Sequence, residues 1–208
     1  MSKATEARRQ RQKSALRAQI LADARQLLQE EDFRNLSLRR IAERIEYSPT
    51  TIYLHFKDKN DLVLELIMEG FEALRQRMLK AYRSDPIESL RQRALEYLAF
   101  GSEEPQFYRL MFQLEDMELN ALCQSQPERV SQGCFQLLLE SVAQLRTQGL
   151  LALPYSDILC AHLLWGNLHG CMSLILGNLL EYLTPVQREQ YRQAAVDTLV
   201  ASAVRQVQ

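Results

Sequence analysis

The chain has little of what an irregular or extracellular protein needs. Only seven of its 208 residues are glycine and six are proline, which excludes a loop-rich or low-complexity chain. The four cysteines, Cys123, Cys134, Cys160 and Cys171, form no CxxC pair, so a reduced cytosolic set is expected. Strand-like alternation of apolar and polar residues is missing. There is no glycine-rich phosphate loop, no nucleophile elbow and no HExxH run, so catalysis has no supporting motif and no cofactor is indicated. Charge is missing from residues 158–180, a run of 23 positions, long enough to span a bilayer. His162, Asn167, His169, Asn178 and three glycines interrupt that run, and no basic flank lies nearby. A fully buried helix is the expectation, with no membrane partner. No apolar run follows the charges at the N-terminus, so no secretory signal is expected and the cytoplasm is the expected location.

What is present favours helices. Leu, Ala, Gln, Glu and Arg dominate, with 47% hydrophobic and 25% charged residues. That is ordinary for a globular protein of one domain or two small ones. The net charge of −1 hides an asymmetry. Residues 1–60 carry 13 Lys and Arg against 8 Asp and Glu, whereas the remainder carries 12 against 18. A basic head on an acidic body suits contact with a polyanion. Lys3, Arg8, Arg9, Arg11, Lys13 and Arg17 form a basic arm, residues 1–13, running into a first helix over about 14–31. The arm is either a solvated tail or a segment lying along phosphates.

The most informative stretch is 37–56, SLRRIAERIEYSPTTIYLHF. Leu38, Ile41, Ala42 and Ile45 recur at i, i+3, i+4 and i+7, one buried stripe of a short helix. Ser37 is a good N-cap for it. Ser48-Pro49 opens a second helix, with proline at the first position, where no N–H is needed. Ile52 and Phe56 point inward. Thr50, Thr51, Tyr53, Leu54 and His55 are left largely outward. Two short helices, the second with a hydroxyl-rich outer face, match a helix-turn-helix with its recognition helix.

This stretch resembles the DNA-binding region of the tetracycline-repressor (TetR) family of bacterial transcription regulators. The residues that carry the likeness are Ser37-Leu38-Arg39, Ile41-Ala42, Ser48, Thr51-Ile52-Tyr53, His55-Phe56-Lys57, Lys59 and Leu62. With the preceding helix it covers about 14–74, the expected DNA-binding domain. One position departs: the turn usually carries glycine, and here it is Glu46. The resemblance implies that Tyr53, His55 and Lys59 contact phosphates and that Ser48, Pro49, Thr50 and Leu54 lie against groove edges. Ser37 and Thr51 belong to the same surface. Arg39 could reach a guanine through its fork of donors. Arg40 and Arg44 are weaker candidates.

The fold expected is all-α, with about nine helices: a three-helix head joined by a long helix to an α-helical body. Asp58 caps the connecting helix, and Asp58 with Asp61 resembles a capping box. Ser84-Asp85-Pro86 marks the boundary to the body, residues 85–208. Asp85 caps a helix that Glu88 would box and Gly101 would stop. Glu104-Pro105 opens the next. Residues 116–127 read as a loop or broken helix, and Gly149 stops a helix begun near 127. In the charge-free segment Gly166, Gly170, Ser173 and Gly177 form a small-residue stripe, and His162, Trp165, His169 and Met172 form a second. Trp165 to Gly170 resembles the Trp…His-Gly signature of one group of TetR-type C-terminal domains. Thr184-Pro185-Val186-Gln187 boxes the last helix.

The resemblance implies a homodimer paired through the last two helices, and a small, often apolar molecule held between helices of the body. Tyr97, Phe100, Phe107, Met111, Phe112, His162, Trp165, His169 and Met172 are the candidate pocket residues. No metal is expected at Cys160, His162 and His169, because no further ligand falls in phase. The expected function is a DNA-binding regulator of transcription, most simply a repressor of a palindromic operator released by an apolar effector. The alternative is an all-α ligand-binding or protein-interaction module whose helix-turn-helix does not read DNA.

Overall fold

The computed structural model describes residues 3–31, 33–112, 121, 123–125 and 132–205. The described residues are almost entirely helical. α1 spans Lys3–Glu30, followed by a 3-10 turn at Phe33–Asn35, then α2 Leu38–Arg44, α3 Pro49–Tyr53 and α4 Lys59–Lys80. The body adds α5 Pro86–Glu103, α6 Pro105–Phe112, α7 Gln132–Thr147, α8 Asp157–Leu176 and α9 Pro185–Ala203. Most of the segment 116–127, read above as a loop or broken helix, lies outside the described residues.

The head is a three-helix core. Ile20, Ala24 and Leu28 of α1 meet Leu38, Ile41 and Ala42 of α2, and Ile52 of α3 and Phe56 just after it close the packing. Ile52 and Phe56 are fully buried, so truncating either to alanine would cost about 2–5 kcal/mol. The expected caps form. Ser37 Oγ accepts from the Arg40 N–H at 3.2 Å, Ser48 Oγ from Thr51 at 3.2 Å, and Asp58 Oδ1 from Asp61 at 2.9 Å. The return bond at α4 differs from a standard box: Asp61 Oδ2 accepts from the Lys57 N–H at 3.0 Å.

α1 begins at Lys3 instead of near residue 14. The basic arm is therefore its first turns. Alanine, glutamine and arginine are good helix formers, Glu6 lies in the first turn where it offsets the dipole, and no apolar stripe marks these exposed residues in the sequence.

In the body, α5 runs through Gly101 to Glu103. Gly101 does not stop this helix. A Cβ there would come within 2.8 Å of Met172 and 2.9 Å of the Tyr108 ring, so glycine serves the close approach of α8 and α6. Gly70 does the same for α4, where a Cβ would come within 2.6 Å of Met111 Sδ. Glu88 makes no box; it accepts from Gln92 at 2.8 Å. Gly149, at φ +72°, does end α7, and Thr184 with Gln187 forms the reciprocal box of α9. The end of α9 is pinned by a backbone bridge from Leu151 to Val204.

The charge-free segment forms α8, long and apolar enough by length and composition to cross a membrane. The expectation that it is fully buried is corrected: only 28% of that window is buried. Cys160, Ala161, Leu164, Leu168 and Met172 face the body, while Ile158, Leu159, Leu163 and Leu174 are exposed. The helix packs on α5, α7 and α9 with one side only.

Candidate DNA interface and internal cavity

The turn between α2 and α3 sets the angle of the outer helix. Ile45 ends α2, and Glu46 takes φ +58°. The Tyr47 N–H then donates to Ala42 O at 2.9 Å and the Glu46 N–H to Glu43 O at 3.3 Å. These are the two bonds of a Schellman motif, with glutamate where glycine is favoured. The absence of glycine therefore leaves the turn's geometry unchanged and places a strained residue in it.

α3 presents its outer face to solvent. Tyr53 is 56% exposed and Leu54 72%, and Ser48, Pro49 and Thr50 are exposed beside them. Ser48 and Thr51 hold one another, with their hydroxyls 2.8 Å apart. Arg39 is exposed on α2 and, among the described residues, makes a 3.2 Å ion pair to Glu43 alone. Arg40 and Arg44, by contrast, are clamped back onto α1. Arg40 takes Glu31 in two bonds at 2.6 and 2.7 Å, and Arg44 takes Glu30 in two at 2.8 and 2.9 Å. Ser37 is half-buried in its cap.

His55 is half-buried, and its Nδ1 has no hydrogen-bond partner among the described residues. Burial, with Lys13 and Arg17 nearby, holds its pKa below the ordinary histidine value. Arg17 lies over the Phe56 ring at 4.8 Å and pairs with Glu65 at 2.9 Å. Lys59 sits in the first turn of α4, where the helix dipole disfavours a cation; its Nζ lies 5.3 Å over the Phe33 ring, which offsets this.

Behind the head, the body encloses a cavity of about 320 Å³. Its walls come from five helices. α4 supplies Phe71, Leu74 and Met78, and α5 supplies Leu90, Arg93, Ala94 and Tyr97. α7 supplies Cys134, Phe135 and Leu138, and α8 supplies His162, Trp165 and Leu168, with Phe112 from α6. Of the nine candidate pocket residues, Tyr97, Phe112, His162 and Trp165 line it. The other five pack outside the lining. Met111 and Met172 fill the spaces left by Gly70 and Gly101. Phe100 lies under the Arg77 guanidinium, 5.6 Å from ring centre, and Phe107 also meets Gly70.

His169 stands behind the cavity wall in a directed chain of hydrogen bonds. Trp165 Nε1–H donates to Tyr97 Oη at 3.2 Å, the Tyr97 and Tyr108 hydroxyls are 3.0 Å apart, and Tyr108 Oη is 2.6 Å from His169 Nδ1. Since the indole can only donate, a chain with Tyr97 donating to Tyr108 and Tyr108 to a neutral His169 uses every proton. Burial lowers the His169 pKa, which favours that neutral form. Burial also pushes the Tyr97 hydroxyl up to about 12 and the Cys134 thiol up to about 12. Neither ionises near neutrality. The Cys134 thiol donates to Phe71 O at 3.2 Å.

Arg93 is the feature of the cavity that the candidate list missed. It is 5% exposed and shares a face of α5 with Leu90, Ala94 and Tyr97. A basic residue at i+3 of an inward stripe was the available signal.

An exposed recognition helix on a three-helix head, joined by one long helix to an all-helical body with an internal cavity, defines a helix-turn-helix regulator. The comparisons agree. Residues 20–66 match the family model of the bacterial regulatory proteins of the tetR family, and residues 90–199 match the tetracyclin repressor-like C-terminal domain. The chain belongs to the TetR family of DNA-binding transcription regulators. An uncharacterized HTH-type transcriptional regulator of Haemophilus influenzae is 43% identical over 65 residues, a match that covers 31% of this chain and 32% of that protein. A Rhodococcus protein of unknown function shares the fold, with TM-score 0.73 at 22% identity, covering 91% of this chain and 96% of the other. So does the SmeT–triclosan complex, with TM-score 0.63 at 16% identity and 92% of each chain covered.

Proposed function

We propose that this regulator is a cytoplasmic homodimeric repressor that binds a palindromic double-stranded operator and releases it when a small, largely apolar effector enters the cavity. Residues 14–74 act as the DNA-reading domain and 85–208 as the effector and dimer domain. Tyr53, His55 and Lys59 take phosphates, and Ser48, Pro49, Thr50 and Leu54 lie along the groove. Arg39 reaches for a base edge. Ser37 and Thr51 hold the two helix starts in place.

The observation that carries this reading is the double role of α4. The helix is capped by Asp58, two residues after the buried Phe56 that anchors α3, and its Phe71, Leu74 and Met78 wall the cavity. At 1.5 Å per residue, about 18 Å of rigid helix separates Lys59 from Phe71. Any shift of the cavity wall moves the start of α4 and the helix seated on it. Coupling of this kind is typically worth about 1–3 kcal/mol.

The dimer face is supported by what the single chain leaves uncovered. Leu159, Leu163 and Leu174 of α8 are exposed. A Cβ at Gly166 or Gly170 would meet nothing within 4 Å. Ala194, Thr198 and Ala201 give α9 a small exposed face. A second copy on a two-fold axis would cover these stripes, and two heads would then reach half-sites about 34–36 Å apart or near a multiple of it. The triclosan complex of SmeT supports a small apolar effector.

The test is selection of genomic fragments by the purified protein, followed by the stoichiometry of the selected site and a screen for small molecules that release it. Two subunits per site and release by a cavity-bound compound are expected. A single subunit per site would refute the dimer, and release that persists after the cavity is filled by Ala94→Trp would refute the cavity's role.

A further inference from the structure

The cavity is apolar except at one point. Its other polar groups are neutral and each makes a contact within the protein. Tyr97 Oη accepts from Trp165 and contacts the Tyr108 hydroxyl. The Cys134 thiol is on Phe71 O, and His162 Nδ1 lies 2.7 Å from Ile158 O. Arg93 is different. It is a guanidinium, charged at any physiological pH, on a residue only 5% exposed.

Its Nη1 donates to two neutral acceptors, Leu137 O at 2.8 Å and Ser141 Oγ at 2.7 Å. Nε is buried with no partner, and among the described residues neither Nε nor Nη2 donates a hydrogen bond and no carboxylate comes within ion-pair distance. The Tyr82 ring lies 5.7 Å away, a weak partner for a full charge. Glu140 on α7 acts only at longer range and is itself exposed. A buried cation without a counter-charge is costly, and a guanidinium with unused N–H donors pairs with a carboxylate through charge-assisted hydrogen bonds.

We propose that the effector is an amphipathic anion: an apolar body filling the cavity with a carboxylate seated on Arg93. The inference rests on the reading of the cavity as the effector site and adds the chemical class. The volume, about 320 Å³, lies at the small end of ligand pockets, which sets the body at the size of a medium chain or a single substituted ring. The apolar walls bind the body whatever its head; the unpaired guanidinium selects the head.

The chain has one tryptophan, and it lines the cavity, so its fluorescence reports occupancy directly. Octanoate, octan-1-ol and octylamine share a tail and differ in the head. Titrated against the intact protein, octanoate should bind at least about tenfold tighter than the alcohol, and the amine weakest of the three. Arg93→Gln should erase the preference for octanoate while leaving affinity for the alcohol nearly unchanged. Arg93→Lys should keep part of the preference. Arg93 also ties α5 to α7, so if Arg93→Gln fails to fold, the wild-type series alone decides. Equal binding of octanoate and octan-1-ol by the wild type would overturn the anionic head and leave the cavity reading intact. Silence of Trp165 towards all three would overturn the cavity reading and this inference with it.

Discussion

Glu46 offers the sharpest test of the local physics. It sits at φ +58°, in the left-handed region where a Cβ costs about 1–2 kcal/mol. Its backbone bonds, Tyr47 N–H to Ala42 O and Glu46 N–H to Glu43 O, involve no side chain and survive any substitution there. Glu46→Gly removes the Cβ penalty and adds unfolded-state entropy, worth about 0.5–1 kcal/mol in the opposite direction. The net gain is about 0.5–1 kcal/mol. For a chain of this length 1 kcal/mol moves the melting midpoint by about 2–4 °C, so a rise of about 1–4 °C is expected. The assay is thermal unfolding followed by circular dichroism at one fixed protein concentration, since dimerisation would make the midpoint concentration-dependent. Glu46→Ala is the control, because alanine loses the carboxylate and keeps the Cβ. It should show no gain. If the glycine variant melts no higher than the alanine variant, the strain argument fails.

Other expectations follow from the same geometry. Tyr53→Phe and Lys59→Ala should weaken operator binding without changing the helical spectrum, and Lys59→Ala should reduce the salt slope by about 0.9; unchanged affinity in both would remove them from the phosphate contacts. Gly101→Ala drives a Cβ to 2.9 Å from the Tyr108 ring and should destabilise by about 1–3 kcal/mol, read by denaturant midpoint. His169 is held below its ordinary pKa by burial, so the unfolded chain takes its proton first. Stability is therefore fully present above the unfolded value of about 6.5 and is lost as pH falls through the lowered folded value. Melting midpoints should drop between pH 7 and 5, and His169→Gln should make that drop smaller, the remainder belonging to His55, whose pKa burial also lowers. Carboxylates with depressed pKa, such as Glu72, lowered to about 2 by Arg75 and Gln76, contribute their loss only at lower pH. A drop of equal size in His169→Gln would show that His169 does not carry it.

The head was legible because its determinants are local. A cap, a proline at N1 and an i, i+4 apolar pair fix α2 and α3 within twenty residues, and Ser37, Ser48 and Asp58 all cap as read. The start of α1 was not legible, since its first turns bury nothing and only propensity holds them. Four of the nine candidate pocket residues line the cavity, and the division has a physical reason. Aromatic content marks which side chains are internal, whereas the space between helices decides which of them face a void. Tyr97, Phe112, His162 and Trp165 face it; Phe100, Phe107, Met111, His169 and Met172 are packed behind the wall. Phe71, Leu74, Met78, Cys134 and Leu138 line the cavity as well, and nothing in one helix's pattern states what the next helix leaves open. Gly101 was misread for the same reason, as a stop where it is a contact. α8 was expected to be fully buried because it lacks charge, but an apolar face left exposed on one side of a helix has the same composition as a core.

The central claim is that the α3 face reads duplex DNA. Its most direct measurement is fluorescence anisotropy of a labelled fragment from upstream of the chain's own gene, or of a fragment from the genomic selection, at several salt concentrations with excess unrelated DNA present. The account predicts binding that survives the competitor and weakens steeply with salt, each neutralised phosphate adding about 0.9 to the slope. Binding to the selected fragment no tighter than to unrelated DNA would contradict it.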